Sequence, residues 1–149
     1  SSGELIVTPG EAIDIDTIQR DFIEVSSNHN LGSGLFDPWN AVQFGQNMTK
    51  LGIEMKEFRM STANLSEATK TLDALIRSGK FKHRGSSLLS WCVSNVVCKE
   101  DAAGNVFPKK ETEKNKIDPA LTAIICLAGW MQEVQEESAY EDRGVLFLN

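Results

Sequence analysis

The chain has 149 residues, 41% of them hydrophobic, which is enough to bury one sizeable core, so a single compact domain is expected. Its formal net charge of −6 argues against a protein that holds nucleic acid by bulk positive charge. The longest apolar runs, 93–98 and 120–128, fall short of the roughly 20 residues that cross a bilayer, and no charged-then-apolar leader opens the chain. The sequence therefore predicts a soluble cytoplasmic protein with no membrane partner.

Charge is unevenly distributed along the chain. Arg77, Lys80, Lys82 and Arg84 form a basic run with no acid between them, whereas the last part of the chain, from Glu133, is acidic. The basic run fits a solvated helix end, because Lys and Arg favour the carbonyl-rich end of a helix. A local DNA contact is the alternative interpretation of this run.

Helical and strand patterns alternate along the chain, after three residues (1–3) that are interpreted as a cloning remnant or a frayed end. The elements predicted for the first half are a strand at 5–8 with a turn at Pro9-Gly10, a helix capped by Asp16 that runs to about Ser26, a strand at 34–36, a helix that follows Asp37-Pro38 and ends at Gly52, and a strand within 53–60. Those of the second half are a helix over 65–76 closed by Gly79, a helix over 88–95, a hairpin of 96–98 and 106–107 around a turn at 101–105, a helix opened by Asp118-Pro119, and a terminal strand or docking segment at 145–148. This alternation predicts an α/β domain with a mixed sheet.

Three cysteines and three tryptophans lie in apolar segments. The cysteines show no spacing that suggests zinc, so they are predicted to be reduced core thiols. The tryptophans are predicted to pack in the core or between helices rather than to stack on bases. These residues are Cys92, Cys98, Cys126, Trp39, Trp91 and Trp130.

Two Asp-Pro pairs, Asp37-Pro38 and Asp118-Pro119, stand where a strand or loop passes into a helix. Asp is a favoured N-cap and Pro suits the first helical position, so both pairs fit a purely structural role. Alternatively, both carboxylates converge at one edge of the sheet and hold Mg²⁺ or Mn²⁺, hard cations that favour oxygen ligands. The two roles are compatible. No phosphate-loop motif and no Ser or Cys nucleophile motif with a partnered His occurs in the sequence.

Five blocks, in order, resemble the carboxy-terminal nuclease segment of the large terminase subunit of tailed bacteriophages and prophages. The resemblance covers 4–135, the nuclease domain on this interpretation, and leaves 136–149 as an acidic carboxy-terminal tail. The blocks are 3–10 (GELIVTPG), 36–41 (FDPWNA), 65–70 (LSEATK) with its helix to Gly79-Lys80, 91–97 (WCVSNVV) with the DAAGN turn at 101–105, and 116–120 (KIDPA).

The resemblance implies a ribonuclease H-like fold and a two-metal DNA endonuclease that cuts concatemeric double-stranded DNA during genome packaging in the bacterial host cytoplasm. It implies that Asp37 and Asp118 are the catalytic metal ligands for Mg²⁺ or Mn²⁺, with two ions in the complete site. The implied partners are double-stranded DNA, the small terminase subunit, the portal protein and an upstream ATPase domain.

Phosphate contacts are expected from Arg84, Lys99, Lys109 and Lys110, although neighbouring acids also fit a role in solubility. The family's first catalytic aspartate lies on a strand upstream of block 3–10, and no residue here corresponds to it. Weak or absent nuclease activity is therefore expected of this chain alone, together with a free sheet edge through which two copies could pair. The alternative function is a non-catalytic assembly or docking module of the packaging motor.

Overall fold

The computed structural model describes residues 5–8, 10–11 and 13–142, with side chains described through residue 135. The chain divides into two compact units, Ser1–Met60 and Ser61–Asn149. The elements in chain order are α1 (Ile15–Asn28), β1 (Gly34–Phe36), α2 (Pro38–Lys50), β2 (Met55–Glu57), α3 (Thr62–Arg77), α4 (Ser87–Ser94), β3 (Val96–Glu100), β4 (Val106–Lys110) and α5 (Asp118–Asp142). No helix among the described residues is long and apolar enough to cross a membrane.

In the first unit, β1 and β2 pair in parallel, with Gly34 opposite Met55 and Phe36 opposite Glu57. The pairing continues beyond β2, where the Phe58 N–H donates to the Phe36 carbonyl at 2.8 Å. Parallel strands need a crossover connection, and α2 provides it. As a result β1 delivers Asp37 directly to the start of α2.

The core of the first unit forms where α2 packs against the strand pair. Met48 is fully buried, and Phe58 retains 4% exposure. Gly45 allows α2 to approach closely, because a Cβ at this position would lie 2.6 Å from the ring of Phe36. Phe22 of α1 meets Phe44 of α2 edge-on, with ring centroids 5.7 Å apart.

The ends of the helices in this unit follow from local chemistry. Asp14, rather than the expected Asp16, caps α1, and its carboxylate accepts from the N–H groups of Asp16 and Thr17. Those bonds hold the pKa of Asp14 below its usual value, with the Thr17 hydroxyl as the largest cause. Gly52 takes a positive φ of 84° immediately after the last turn of α2, which confirms the predicted stop.

In the second unit, α3 packs against both α5 and β4. Leu65, Ala68 and Leu72 of α3 are buried, as are Ala120, Ile124 and Ala128 of α5 at helical spacing. The Ser66 hydroxyl, also buried, accepts from the Val106 N–H at 3.1 Å and joins α3 to the hairpin. The predicted helices at 65–76, 88–95 and from Asp118 are confirmed.

The β3–β4 hairpin is antiparallel, as predicted, and turns over a loop organised by Asp101. The Asp101 carboxylate accepts from the N–H groups of Ala103 and Asn105 and from the Asn105 side-chain amide. Gly104 has a positive φ of 79° in this loop. One aspartate therefore fixes the turn and sets the register of both strands.

The strand expected at 5–8 is absent, and these residues have no regular secondary structure. Leu5, Ile6 and Val7 are 70, 71 and 81% exposed. An apolar β-prone run becomes a strand only when a partner satisfies its backbone groups, and no described residue pairs with it. The described residues consequently form two separate two-stranded sheets instead of one mixed sheet.

The core interpretation of the tryptophans is wrong, since Trp39, Trp91 and Trp130 are 85, 47 and 59% exposed. Helical geometry explains two of these exposures. Trp91 is next to buried Cys92 in α4, and Trp130 is two residues from buried Ala128 in α5. Residues one or two positions apart lie on different faces of a helix, so burial of one does not imply burial of the other. The core interpretation of the cysteines holds for Cys92 alone, because Cys98 and Cys126 are exposed free thiols. The segment expected at 145–148 lies outside the described residues.

Candidate metal and DNA-binding residues

Asp37 occupies the junction between β1 and α2, as predicted. Its Oδ1 accepts from the Trp39 N–H at 3.1 Å, the N-capping bond of α2. Pro38 provides the first helical residue, whose missing N–H costs nothing there. The carboxylate is half-buried and accepts no other hydrogen bond from the described residues. Oδ1 thus caps the helix, whereas no described residue donates a hydrogen bond to Oδ2.

Asp118 has a different local role from Asp37. It is the first residue of α5. The first helical hydrogen bond runs from the Leu121 N–H to the carbonyl of Ile117, the residue before Asp118, at 2.8 Å. No N–H of the described residues donates to the Asp118 carboxylate, which is exposed. The capping interpretation of this aspartate is therefore wrong, and its carboxylate remains open to solvent.

The backbone before Asp118 is held in place by α4. The Asn95 side-chain amide, at the end of α4, donates to the Lys116 carbonyl at 3.1 Å. Burial raises the pKa of the Cys92 thiol, and the negative charge of Asp118 adds to this effect. Asp118 thus presents its charge beside the α4–α5 packing, in the second unit, whereas Asp37 belongs to the first unit.

Two other acids that could ligate a metal have local hydrogen-bond partners. Asp14 caps α1, and Glu113 accepts from the Lys110 ammonium at 2.7 Å. Among the residues that the structure describes, no group of three or more His, Cys, Asp or Glu side chains is placed to hold a metal ion.

The four predicted phosphate-contacting cations all lie in the second unit. Side chains alternate along strands, and the register places Lys99 opposite Phe107 and Val97 opposite Lys109. Lys99 and Lys109 therefore share one face of the hairpin, where both are exposed. Lys110 belongs to the opposite face and pairs with Glu113.

Arg84 is exposed in the segment between α3 and α4. Upstream in the basic run, Arg77 pairs with Asp73 at 2.7 Å, and that hydrogen bond raises the pKa of the guanidinium. Because Asp73 offsets its charge, Arg77 contributes less to the run than the sequence suggests. Lys80, Lys82 and Arg84 remain as its exposed cations.

Comparison with known proteins defines the class to which this fold belongs. The family described as "Terminase large subunit, endonuclease domain" matches residues 2–135. Among solved structures, the crystal structure of the HK97 bacteriophage large terminase aligns with a TM-score of 0.73 and 27% identity, covering 82% of this chain and 26% of that one. The large terminase nuclease from thermophilic phage G20c aligns with a TM-score of 0.59 over 80% of this chain and 62% of that one. At 12% identity, this second likeness shows the fold alone.

The chain belongs to the terminase large subunit endonuclease-domain family, which confirms the resemblance and the mixed α/β class. Curated relatives include the terminase large subunit of Enterobacteria phage HK97, 28% identical over 137 residues, and the protein YmfN of Escherichia coli K12, 28% identical over 138 residues. Each alignment covers 91% of this chain, which spans 27% and 30% of those two proteins.

Proposed function

We propose that this chain is a metal-dependent endonuclease domain with a ribonuclease H-like fold, which cuts concatemeric double-stranded DNA during phage genome packaging. Its family membership supports the endonuclease role. The observation that carries the proposal is the carboxylate of Asp118, which opens α5 exposed and without a capping bond. A charged side chain to which no described residue donates, in a motif that the resemblance connects to metal binding, favours a catalytic role.

The chemistry of the two aspartates suits Mg²⁺ or Mn²⁺. Both cations are hard and prefer carboxylate oxygens, and Asp37 and Asp118 each retain oxygen lone pairs that no described residue uses. Two such ions, when bound, supply activation of the attacking water and charge stabilisation of the leaving oxygen of a phosphodiester. Asp37 and Asp118 are the ligands that we propose, each held by its own helix start.

Lys99, Lys109 and Arg84 are the proposed phosphate contacts, because all three are exposed cations of the second unit. Lys110 is the weakest of the four candidates, since its ammonium already bonds Glu113 at 2.7 Å. Contacts of this kind position a duplex without reading its sequence.

We propose weak cleavage by this chain alone. The resemblance matches two of the family's acidic motifs, those of Asp37 and Asp118. Two carboxylates offset less of the charge of two divalent cations than a fuller set does, and metal occupancy falls accordingly.

Cleavage of supercoiled plasmid with Mn²⁺ or Mg²⁺ tests the function. The parent chain is expected to nick plasmid slowly, only with a divalent cation, and Asp37→Asn and Asp118→Asn are each expected to abolish that nicking. Asp16→Asn and Glu111→Gln provide matched controls, because they remove one exposed negative charge from the first and second unit respectively.

Nicking that survives both aspartate substitutions would assign the activity to other residues or to a contaminant. Efficient cleavage by the parent chain would refute the proposed weakness but keep the nuclease. A complete lack of nicking at every protein concentration would refute the weak cleavage proposed for this chain and favour the docking module.

The second candidate function is a non-catalytic docking module of the packaging motor. The consecutive apolar residues Leu5, Ile6 and Val7, 70–81% exposed, favour it, since contiguous exposed apolar surface often marks an interaction site. The proposed partners are the portal protein, the small terminase subunit, the ATPase domain, or a second copy of this chain. Binding that persists in the Asp37→Asn and Asp118→Asn variants, without nuclease activity in the parent chain, is the outcome expected for this alternative.

A further inference from the structure

Helix α2 has an unusual composition for this protein. The chain carries 21 acidic residues and a net charge of −6, yet none of the 13 residues of α2 is Asp or Glu. Its exposed polar side chains are amides, one hydroxyl and one cation: Asn40, Gln43, Gln46, Thr49 and Lys50. The residues of this helix therefore present no carboxylate to a duplex, and each exposed polar side chain can donate a hydrogen bond.

Four polar residues of α2 share one face. Gln43, Gln46 and Lys50 are separated by three and four positions, and Asn47 joins them through a 2.9 Å bond from the Gln43 amide. The opposite side of the helix is fixed in the core by buried Gly45 and Met48. This face is consequently committed to solvent or to a partner.

Trp39 lies in the first turn of the same helix. Its backbone N–H bonds the Asp37 carboxylate, and its indole is 85% exposed. Ala41 interrupts the helical geometry with φ −124° and ψ 16°, so the turn that carries Trp39 has an orientation of its own. The exposed indole of Trp39 is therefore two residues along the chain from Asp37, a proposed metal ligand.

We propose that α2 is a duplex-DNA contact surface formed by Trp39, Gln43, Gln46, Asn47 and Lys50, an inference that rests on the proposed function. Lys50 contacts a phosphate, the amides bond the sugar-phosphate backbone, and the indole packs on the nucleotide beside the scissile phosphate. The 13-residue helix is about 20 Å long, which matches about six base pairs of duplex. The lack of acids and the exposed cation complement the phosphate charge better than they complement an apolar protein partner.

Fluorescence anisotropy of a labelled blunt duplex of about two helical turns, titrated with the chain in the absence of divalent metal at several salt concentrations, tests the proposal. The variants are Lys50→Gln, Trp39→Ala and the pair Gln43→Ala/Gln46→Ala. Arg20→Gln, which removes an exposed cation from α1, is the control for Lys50→Gln. Trp130→Ala, which removes another exposed indole, is the control for Trp39→Ala.

Each α2 variant is expected to weaken duplex binding about five- to tenfold, whereas both controls stay within about twofold of the parent chain. Lys50→Gln also lowers the slope of log affinity against log salt by about 0.9, because one phosphate contact is lost. Trp39→Ala leaves that slope unchanged, because the indole carries no charge. Circular dichroism and a thermal melt establish that each variant is folded.

Equal duplex affinity for the parent chain and all α2 variants overturns the inference, as does an absence of duplex binding by the folded parent chain. Self-association that Trp39→Ala removes, measured by light scattering, assigns the face to a protein partner instead. The nuclease proposal is judged separately by plasmid nicking. If Asp37→Asn loses nicking and the α2 variants bind the duplex as the parent chain does, only the α2 surface is refuted. If the α2 variants bind the duplex more weakly and the parent chain does not nick plasmid, only the proposed nicking is refuted.

Discussion

Asp37 and Asp118 stand in identical Asp-Pro dipeptides, but their carboxylates are bonded differently. Asp37 caps α2 through the Trp39 N–H, whereas Asp118 is the first residue of α5 and caps nothing among the described residues. The sequence predicts both positions, since Asp and Pro favour helix starts. It does not distinguish the two bonding patterns, because a shift of one residue at a helix start decides which carboxylate reaches an N–H.

This difference predicts unequal costs in stability. Asp37→Ala is expected to lower the free energy of unfolding by about 1 kcal/mol, the usual cost of a lost cap, whereas Asp37→Asn keeps an acceptor oxygen and costs less. Asp118→Ala is expected to change it by less than about 0.5 kcal/mol. Urea unfolding followed by circular dichroism measures both changes. Equal losses for the two alanine variants would show that Asp118 has a structural role as well.

Tryptophan burial shows the limit of residue-level prediction. A tryptophan in an apolar segment is assigned to the core by composition, but α4 and α5 place Trp91 and Trp130 on faces that differ from those of buried Cys92 and Ala128. The face of a helix that turns inward is chosen by its packing partner, here α3 and α5, which a single segment does not reveal.

At the scale of elements, the approach of α2 to β1 depends on Gly45. A Cβ there would lie 2.6 Å from the Phe36 ring, so Gly45→Ala is expected to destabilise the protein by about 1–3 kcal/mol, although alanine favours helices. In a Phe36→Ala background the same change is expected to be neutral or to stabilise by about 1 kcal/mol. Thermal or urea unfolding of the double-mutant cycle measures this coupling. Additive effects would contradict the close packing.

The hairpin turn is predicted to depend on pH through Asp101. The side-chain amide of Asn105, then the N–H groups of Asn105 and Ala103, hold the pKa of Asp101 below its ordinary value of 3.8. A depressed folded pKa gives stability that is present above the ordinary value and is lost as the pH falls through the folded one.

The amide chemical shifts of Ala103 and Asn105 are therefore expected to move toward unstructured values below pH 3.8. Asp101→Asn, which cannot ionise, is expected to remove this titration while the rest of the spectrum is kept. A parent chain whose turn amides do not change in that range would contradict the role of the carboxylate.

Helices, the hairpin and β1 follow from periodicity, caps and turn residues, which are local signals. The strand expected at 5–8 does not form, because β structure needs a partner that no local pattern supplies. β2 is likewise shorter, Met55–Glu57 within the expected 53–60, since its regular register is set by the three residues of β1.

At the scale of the whole molecule, the chain divides into two compact units, with Asp37 in the first and Asp118 in the second. The sequence predicted the family, because five blocks in a fixed order are specific, and the match over residues 2–135 confirms it. It did not predict the division into units, which depends on how distant elements pack. The chain spans 27% and 30% of two curated relatives, so activities of a complete motor remain proposals for it.

The central claim is that Asp37 and Asp118 bind divalent cations, and Mn²⁺ titration by isothermal calorimetry of the parent chain tests it most directly. Asp37→Asn and Asp118→Asn are each expected to weaken Mn²⁺ binding about tenfold or more, and Asp16→Asn to leave it unchanged. Identical Mn²⁺ isotherms for the parent chain and both aspartate variants would contradict the claim.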